Sequence, residues 1–490
     1  MEEHQDDYRN RQIAFVSNLE GATMAEILLI SLSLPIGAWL LAETRGLVKL
    51  GSSLKPLPKL DLHDFVEEIL LVVLPVMMTV LRPSCVVSLF LAMGLIGWSS
   101  RCFCSGLKIK NFSPSTLTPR DPRSSNGTPG FPSPSFMITE AISNFRGGIM
   151  LLTCIAILAV DFQVFPRRFA KAEVFGTGLM DLGVGASVFA SGLVSGYKRD
   201  QSRVKARAAG STWTWRSYLR RLGSVAVRSW VLAVLGISRF VVIKGFAYQE
   251  HVSEYGVHWN FFATLFCIRI ILAAVAPLRP ARLRLIIALS ALVVYQWMLL
   301  HDLSDYIINS PRNSFFSMNR EGILGLVGFL CIHLLAEELG WNLRASLSTG
   351  RKISDSEGFS LSFLAKVAGL DICLWILTWA SDRFIQRTSR RMMNVSYVIW
   401  VNAHLVCILG TGMLLGSLGS KPSGSRLLEA INVNMFPVFM GANLATGAVN
   451  LSLRTLDADD LAAVTIILIY IVLVSSFAVV LAKCNFAFRV

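Results

Sequence analysis

Charge is what this sequence has least of. Asp, Glu, Lys and Arg make up 16% of its 490 residues, where an ordinary soluble domain carries about 25%. Paired cysteines are missing too. Of nine cysteines, only Cys102 and Cys104 stand close together, with no second pair to complete a zinc site or a disulfide framework. No Walker A loop, His-Glu-x-x-His helix, serine nucleophile elbow or dinucleotide fingerprint occurs in a fitting context, so ATP-driven transport and metalloprotease chemistry have no foothold. No internal repeat stands out, which weakens an inverted-repeat transporter reading.

What is there is apolar. Hydrophobic residues make up 53% of the chain, gathered in runs of about 17 to 22, long enough to cross hydrocarbon as helix. The expected fold is therefore all-α, a polytopic membrane helix bundle of about 13 spans. They are placed at 23–42, 65–81, 84–98, 147–165, 177–197, 224–243, 258–276, 284–300, 321–339, 359–380, 394–413, 430–450 and 461–482. Arg82 and Pro83 mark an uncertain junction. The 430–450 run is polar for a lipid-facing helix, and Asn432, Asn434, Asn443 and Asn450 point to burial inside the bundle.

The net charge of +14 reads as topology, and no nucleic-acid partner is expected. With the N-terminus lumenal and the C-terminus cytosolic, 28 of 46 Lys and Arg fall on the cytosolic side and 14 on the other, as the positive-inside rule demands. Residues 1–22 form a lumenal leader without a clear cleavage signal, and 23–490 a single multi-span domain. Residues 99–146 form a cytosolic loop with a flexible Pro- and Ser-rich linker at 111–135. The segment DRFIQRTSRR dissents, placing four basic residues on the lumenal side. It is an exception, or it meets something anionic.

Ionisable groups cluster most densely in one stretch. Asp161 closes the fourth run, Pro166 marks a turn, Arg167, Arg168, Lys171 and Glu173 fill a short loop, and Asp181 enters the fifth run. Such groups at helix edges are expensive in a membrane and mark function by default. Gly176, Gly178, Gly183, Gly185, Ala186 and Ser187 are close-packing signals. His258, Trp259 and Asn260 open the seventh run after His251 and Glu254, and Asn319, Arg320 and Glu321 cap the ninth. His258 is a base or an interfacial anchor; Arg320 holds a phosphate or snorkels. Arg228, Arg239, Arg269, Glu337, Glu338, Lys366 and Asp371 lie deeper, where pairing between helices is the preferred reading. His404, in an apolar helix, is a weaker rival base.

The stretch RGGIMLLTCIAILAVDFQVFPRRFAKAEVFGTGLMDLGVGASVF resembles the signature of the GPI inositol-acyltransferase family, the GPI-anchored wall transfer proteins of fungi and PIG-W of animals. The likeness continues through HVSEYGVHWNFFATLF, SMNREGILGLVGFL, TSRRMMNVSYVIWVNAH and LLEAINVNMFPVFMGANLATGAVNLSLRT, most of the chain. It implies transfer of a fatty acyl group, usually palmitoyl, from acyl-CoA to the inositol ring of glucosaminyl-phosphatidylinositol in the endoplasmic reticulum membrane. It also implies about thirteen spans and a lumenal active region.

The family's catalytic aspartate and lysine match Asp161 and Lys171. Asp161 is then the general base for the inositol 2-hydroxyl, and Lys171 stabilises the thioester oxyanion or orients Asp161 as an ion pair. Arg167 and Arg168 suit substrate phosphates. His258, Asn260, Asn319, Arg320 and Asn443 complete the expected substrate-binding set. Acyl-CoA is a co-substrate, with no permanently bound cofactor and no metal. A tunnel lined by Arg239, Arg269 or Lys366 would bring cytosolic acyl-CoA to a lumenal site. The rival from another class is a GPI-precursor lipid transporter or flippase, using the same buried charges without forming an ester.

Overall fold

The computed structural model describes residues 8, 10–12, 14, 15, 17, 19–48, 61–110, 134–199, 214–246, 254–278, 281–348, 359–419 and 424–488. Nearly all of the linker 111–135, and His251, fall outside them, as does the side chain of Arg239. Among the described residues the regular structure is helical, with one isolated β-bridge between Ala22 and Thr177. In hydrocarbon a helix satisfies its backbone groups within one segment, so long Leu-, Ile- and Val-rich runs have this solution.

In chain order the helices are α1 (Met24–Val48) and α2 (Leu62–Glu68, continued through a π turn, Ile69–Val73, into Leu74–Leu81). Then come α3 (Val86–Lys110), α4 (Pro134–Ala159), α5 (Leu182–Tyr197), α6 (Trp215–Arg228), α7 (Trp230–Phe246) and α8 (Phe261–Val275). They are followed by α9 (Ala281–Met298, prolonged to Asn309), α10 (Arg320–Ser348), α11 (Leu361–Phe384) and α12 (Val395–Leu418). Last are α13 (Arg426–Val433), α14 (Met435–Ser452) and α15 (Asp460–Lys483).

Each expected span is matched by a helix. Among the described residues nine are long and apolar enough to cross a membrane, and ten if α6 and α7, bent by 52° at their junction, count together. The other three expected spans are α2, α8 and α14. These are shorter or more polar, and thirteen spans is consistent with this set. The chain is a multi-pass, all-α membrane bundle.

Among the boundaries that differ from expectation, three change the reading of a segment. The fourth run does not reach residue 165: α4 ends at Ala159, and Asp161 sits in the turn beyond it. The loop expected at 99–146 is shorter than that, because 99–110 and 134–146 continue α3 and α4. The 430–450 run is broken at Asn434, whose side-chain amide is buried and unbonded between α13 and α14. The Pro83 junction does interrupt the chain, as Arg82 leaves helical geometry before it.

α5 and α10 make the closest helix pair. Gly192 and Gly196 of α5 meet the carbonyls of His333 and Glu337, and a Cβ on either would lie 2.2 or 1.9 Å from that oxygen. The backbones approach until only hydrogen fits between them, as small residues allow in membranes. Glu337 and Glu338 of α10 pair with Arg284 and Arg282 of α9, at 2.8 and 3.0 Å. At the centre, α12 buries Tyr397, Trp400 and His404 completely. By contrast α11 exposes Ile372, Ile376 and Trp379, a face for lipid.

Candidate active site

The turn after α4 is built from alternating anchors and charges. Phe162, Phe165 and Phe169 are fully buried and fix the path of the chain, while Gln163 and Arg168 between them are exposed. Pro166 then starts a short 3-10 turn, Arg167–Phe169. Gly176 has φ +122, and a side chain there would collide with the carbonyl of Glu20.

Asp181 holds this loop closed. Its Oδ2 accepts from the amides of Ala172 and Gly178 at 3.0 and 2.8 Å, and its Oδ1 accepts from Arg390 Nε at 2.7 Å. Both side chains are buried. Arg391 reaches Glu321 at 3.3 Å, and Glu321 also pairs with Arg312. The basic segment 382–391 therefore does meet anions, and they are the chain's own carboxylates. Burial would lower the Arg390 pKa, but Asp181, Glu254, Tyr255 and Tyr397 hold it above the ordinary arginine value.

Asp161 is held differently. Its Oδ2 accepts from Asn450 Nδ2 of α14 at 2.8 Å. Burial raises its pKa above the ordinary value, while the Asn450 hydrogen bond and the nearby Arg167 charge oppose the shift. Arg167 is itself lowered to about 10 by burial, against the pull of Asp161. Its Nη2 donates to the Val160 carbonyl at 2.6 Å, and its Nη1 is buried with no hydrogen-bond partner among the described residues.

Lys171 forms its ion pair with Glu254. Both line a cavity of about 650 Å³ together with Tyr255, Asn260, Asn443 and many apolar side chains, including Leu152, Ile157, Phe262 and Phe439. That volume falls in the range of small-molecule sites. Asp161 is not among the lining residues; Ile157, four residues earlier on α4, and Asn443, seven before Asn450 on α14, are. A second cavity of about 460 Å³ shares Ser187, Phe261, Phe262 and Phe439 with the first and adds Arg146, Lys198, Arg269 and His333.

The remaining expected residues divide. Asn443 and Asn260 line the first cavity, but Asn260 also caps α8 through Ala263 N at 2.9 Å and donates to the Gly236 carbonyl at 3.0 Å. Asn319 is buried, accepting from the His258 backbone amide at 2.8 Å and donating to the Phe315 carbonyl at 2.9 Å. Arg320 neither snorkels nor faces either cavity: it is 1% exposed and donates to the carbonyls of Ile307 and Ser310 at 3.0 and 2.7 Å. Arg168 is engaged by Glu26 at 2.7 Å.

His258 is not among the residues lining either cavity, and Lys366 is exposed and lines neither. His404 is fully buried beside Ser31 Oγ, 3.0 Å from its Nε2. Of the close-packing glycines, Gly183 faces the first cavity and has nothing within 4 Å of a Cβ position. Sequence reasoning missed Asn450 as the partner of Asp161 and Glu254 as the partner of Lys171. The first signal was available, as an amide at the end of an apolar run; the second needed the fold.

These features define a polytopic membrane protein in which a charged turn after α4 reaches an apolar cavity through Lys171. The sequence pattern of the GWT1 family matches residues 8–481. The chain is similar to GPI-anchored wall transfer protein 1 of Aspergillus oryzae, 34% identical over 514 aligned positions covering 98% of each chain. Proteins of that name from Candida glabrata and Saccharomyces cerevisiae are 36% and 35% identical, covering 67% and 70% of this chain and 71% of each relative. The chain belongs to the GWT1 family.

Proposed function

We propose that this protein works in GPI-anchor biosynthesis in the endoplasmic reticulum membrane, as an acyl-CoA-dependent O-acyltransferase acting on the inositol 2-hydroxyl of glucosaminyl-phosphatidylinositol. The observation that carries the reading is an apolar cavity with Lys171 on its wall, beside the α4 and α14 ends that hold Asp161. A carboxylate of raised proton affinity stands at the end of α4, and a cation lines the apolar cavity between α4 and α14. The apolar walls suit a fatty chain, and palmitoyl is the chain that the family likeness favours. The second cavity, with Arg146, Lys198 and Arg269 on its walls, suits the phosphates of acyl-CoA. Of the three residues considered for a delivery tunnel, Arg269 lines it and Lys366 does not, while the Arg239 side chain lies outside the described residues.

In the reaction, Asp161 takes the proton of the 2-hydroxyl as its oxygen attacks the thioester carbonyl carbon. The Lys171 ammonium stabilises the negative charge that develops on the carbonyl oxygen. The carbon–sulfur bond then breaks, the ester remains on inositol, and the CoA thiolate receives the proton from Asp161. Because Lys171 already pairs with Glu254, the oxyanion role fits it better than orienting Asp161. Arg167, with one free buried N–H, suits the lipid phosphate better than Arg168, which Glu26 engages.

The test is an assay of the purified protein with labelled palmitoyl-CoA and glucosaminyl-phosphatidylinositol. Acyl-inositol product that disappears in a folded D161A variant supports the enzyme. Movement of the lipid between leaflets without ester formation would favour the transporter reading.

A further inference from the structure

The segment before α1 lies on both elements that hold Asp161. Arg11 Nη2 pairs with Asp457 Oδ1 at 2.7 Å, and Tyr8 Oη accepts from the Leu456 amide at 3.4 Å. Leu456 in turn accepts, through its carbonyl, from Gln163 Nε2 of the Asp161 turn at 2.8 Å. This 454–457 turn directly follows α14, which carries Asn450. Phe15 stacks on the Arg167 guanidinium at 3.8 Å, with Phe165 near it at 5.4 Å. Further along, Leu19 accepts from the Glu173 amide, and Ala22 and Thr177 exchange hydrogen bonds at 2.6 and 2.8 Å.

We propose that Tyr8, Arg11 and Phe15 are positioning residues, and that the N-terminal segment is a strap that keeps Arg167 in the Asp161 turn and the Asn450 end of α14 on Asp161. The inference rests on the reading of Asp161 as base. An aromatic face keeps a guanidinium in place while excluding water from it. Without Phe15, Arg167 gains the freedom to swing into solvent, and its charge leaves the carboxylate. The groups facing Asp161 are Arg167 from its own turn, Asn450 from α14 and the Tyr470 hydroxyl from α15. Of these only Arg167 is positively charged and touches the strap. Its removal therefore raises the proton affinity of Asp161.

The experiment uses the full chain in nanodiscs and measures kcat, the KM for palmitoyl-CoA and the pH–rate profile of wild type, F15A, F15W and R11A. A misplaced reacting group costs rate without costing distant binding, so F15A should lose about tenfold in kcat with KM within about twofold. Its acid limb should move to higher pH, and F15W should restore both. Should F15A fail to fold, R11A at the exposed Asp457 pair carries the test, with a loss of about threefold in kcat expected on the same ground. A folded F15A with wild-type kcat and an unmoved acid limb overturns the strap. So does activity lost only in proportion to folded protein, or an R11A indistinguishable from wild type where F15A does not fold. D161A run in parallel separates the two ideas: an active D161A overturns the base, whereas an inactive D161A beside a wild-type-like F15A overturns the strap alone.

Discussion

Asp161 and Asp181 lie twenty residues apart at the two ends of one loop, and the chain uses them in opposite ways. Asp181 is fully buried and accepts from two backbone amides and from Arg390. Every lone pair that matters is engaged, so its charge is committed to holding the loop. Asp161 has a neutral amide for its hydrogen-bond partner, with Arg167 acting from nearby. Burial raises the proton affinity of both aspartates, and what differs is the partner: a buried guanidinium and two amides oppose the shift at Asp181, a neutral side-chain amide and a nearby guanidinium at Asp161. A carboxylate whose proton affinity is raised is a stronger base than a free aspartate, the property that the proposed role asks of it. Charge density at a membrane edge thus has two meanings, and the partner decides between them.

The largest expected effect is on chemistry. D161A should lower kcat by about 10³-fold while the protein stays folded, since a positioned base contributes of that order. A raised pKa favours the protonated form in the folded state, so the stability linked to Asp161 is full below its ordinary value of 3.8 and lost as pH rises through the folded value. D161N should accordingly match wild type in acid and be the more stable protein at neutral pH, as thermal unfolding at both would show. Activity, which needs the ionised form, should rise with pH through that same folded value.

D181A should do the reverse. It strands Arg390 in a buried site, a change that costs about 3–5 kcal/mol. The loss should appear as reduced folded yield and melting temperature, with activity per folded molecule little changed. If D181A folds normally and loses only rate, the contrast between the two aspartates collapses.

A smaller effect is expected at Lys171. K171A should lower kcat by about 10²-fold, as removal of an oxyanion donor does. K171R separates charge from reach: substantial recovery would show that pairing with Glu254 is what matters, and little recovery that the ammonium meets the oxygen itself. The smallest effect is at Arg168, whose pair with Glu26 is half exposed. R168A should shift stability by less than about 1 kcal/mol and leave the KM for both substrates unchanged. A large rise in the KM for the lipid would return Arg168 to the role of phosphate ligand.

Much of the fold was legible because the signals are local. Run length gave the helices, and Pro83 marked a break that the chain does make. The error at 147–165 has a simple origin: Phe162, Val164 and Phe165 extend the apolar run, but they are buried in the turn rather than in helix. Of the four amides expected to be buried, Asn434 is, Asn432 and Asn450 are half-buried, and Asn443 is exposed, because its face of α14 opens onto the cavity; the break at Asn434 left no trace in hydropathy. Arg320 and Asn319 were legible as polar residues at a helix start. That they serve backbone groups of neighbouring segments was not, because nothing in the sequence encodes where those carbonyls lie.

By itself the sequence determined that this is an all-α membrane protein, and that one turn breaks its economy of charge. Both follow from transfer energies that each segment meets alone. Only the tertiary structure decided what each charge in that turn does. Asp161 meets Asn450 across 289 positions, Asp181 meets Arg390 across 209, and Lys171 meets Glu254 across 83. A side chain's proton affinity depends on burial and on the groups within a few ångströms, and folding alone selects those neighbours.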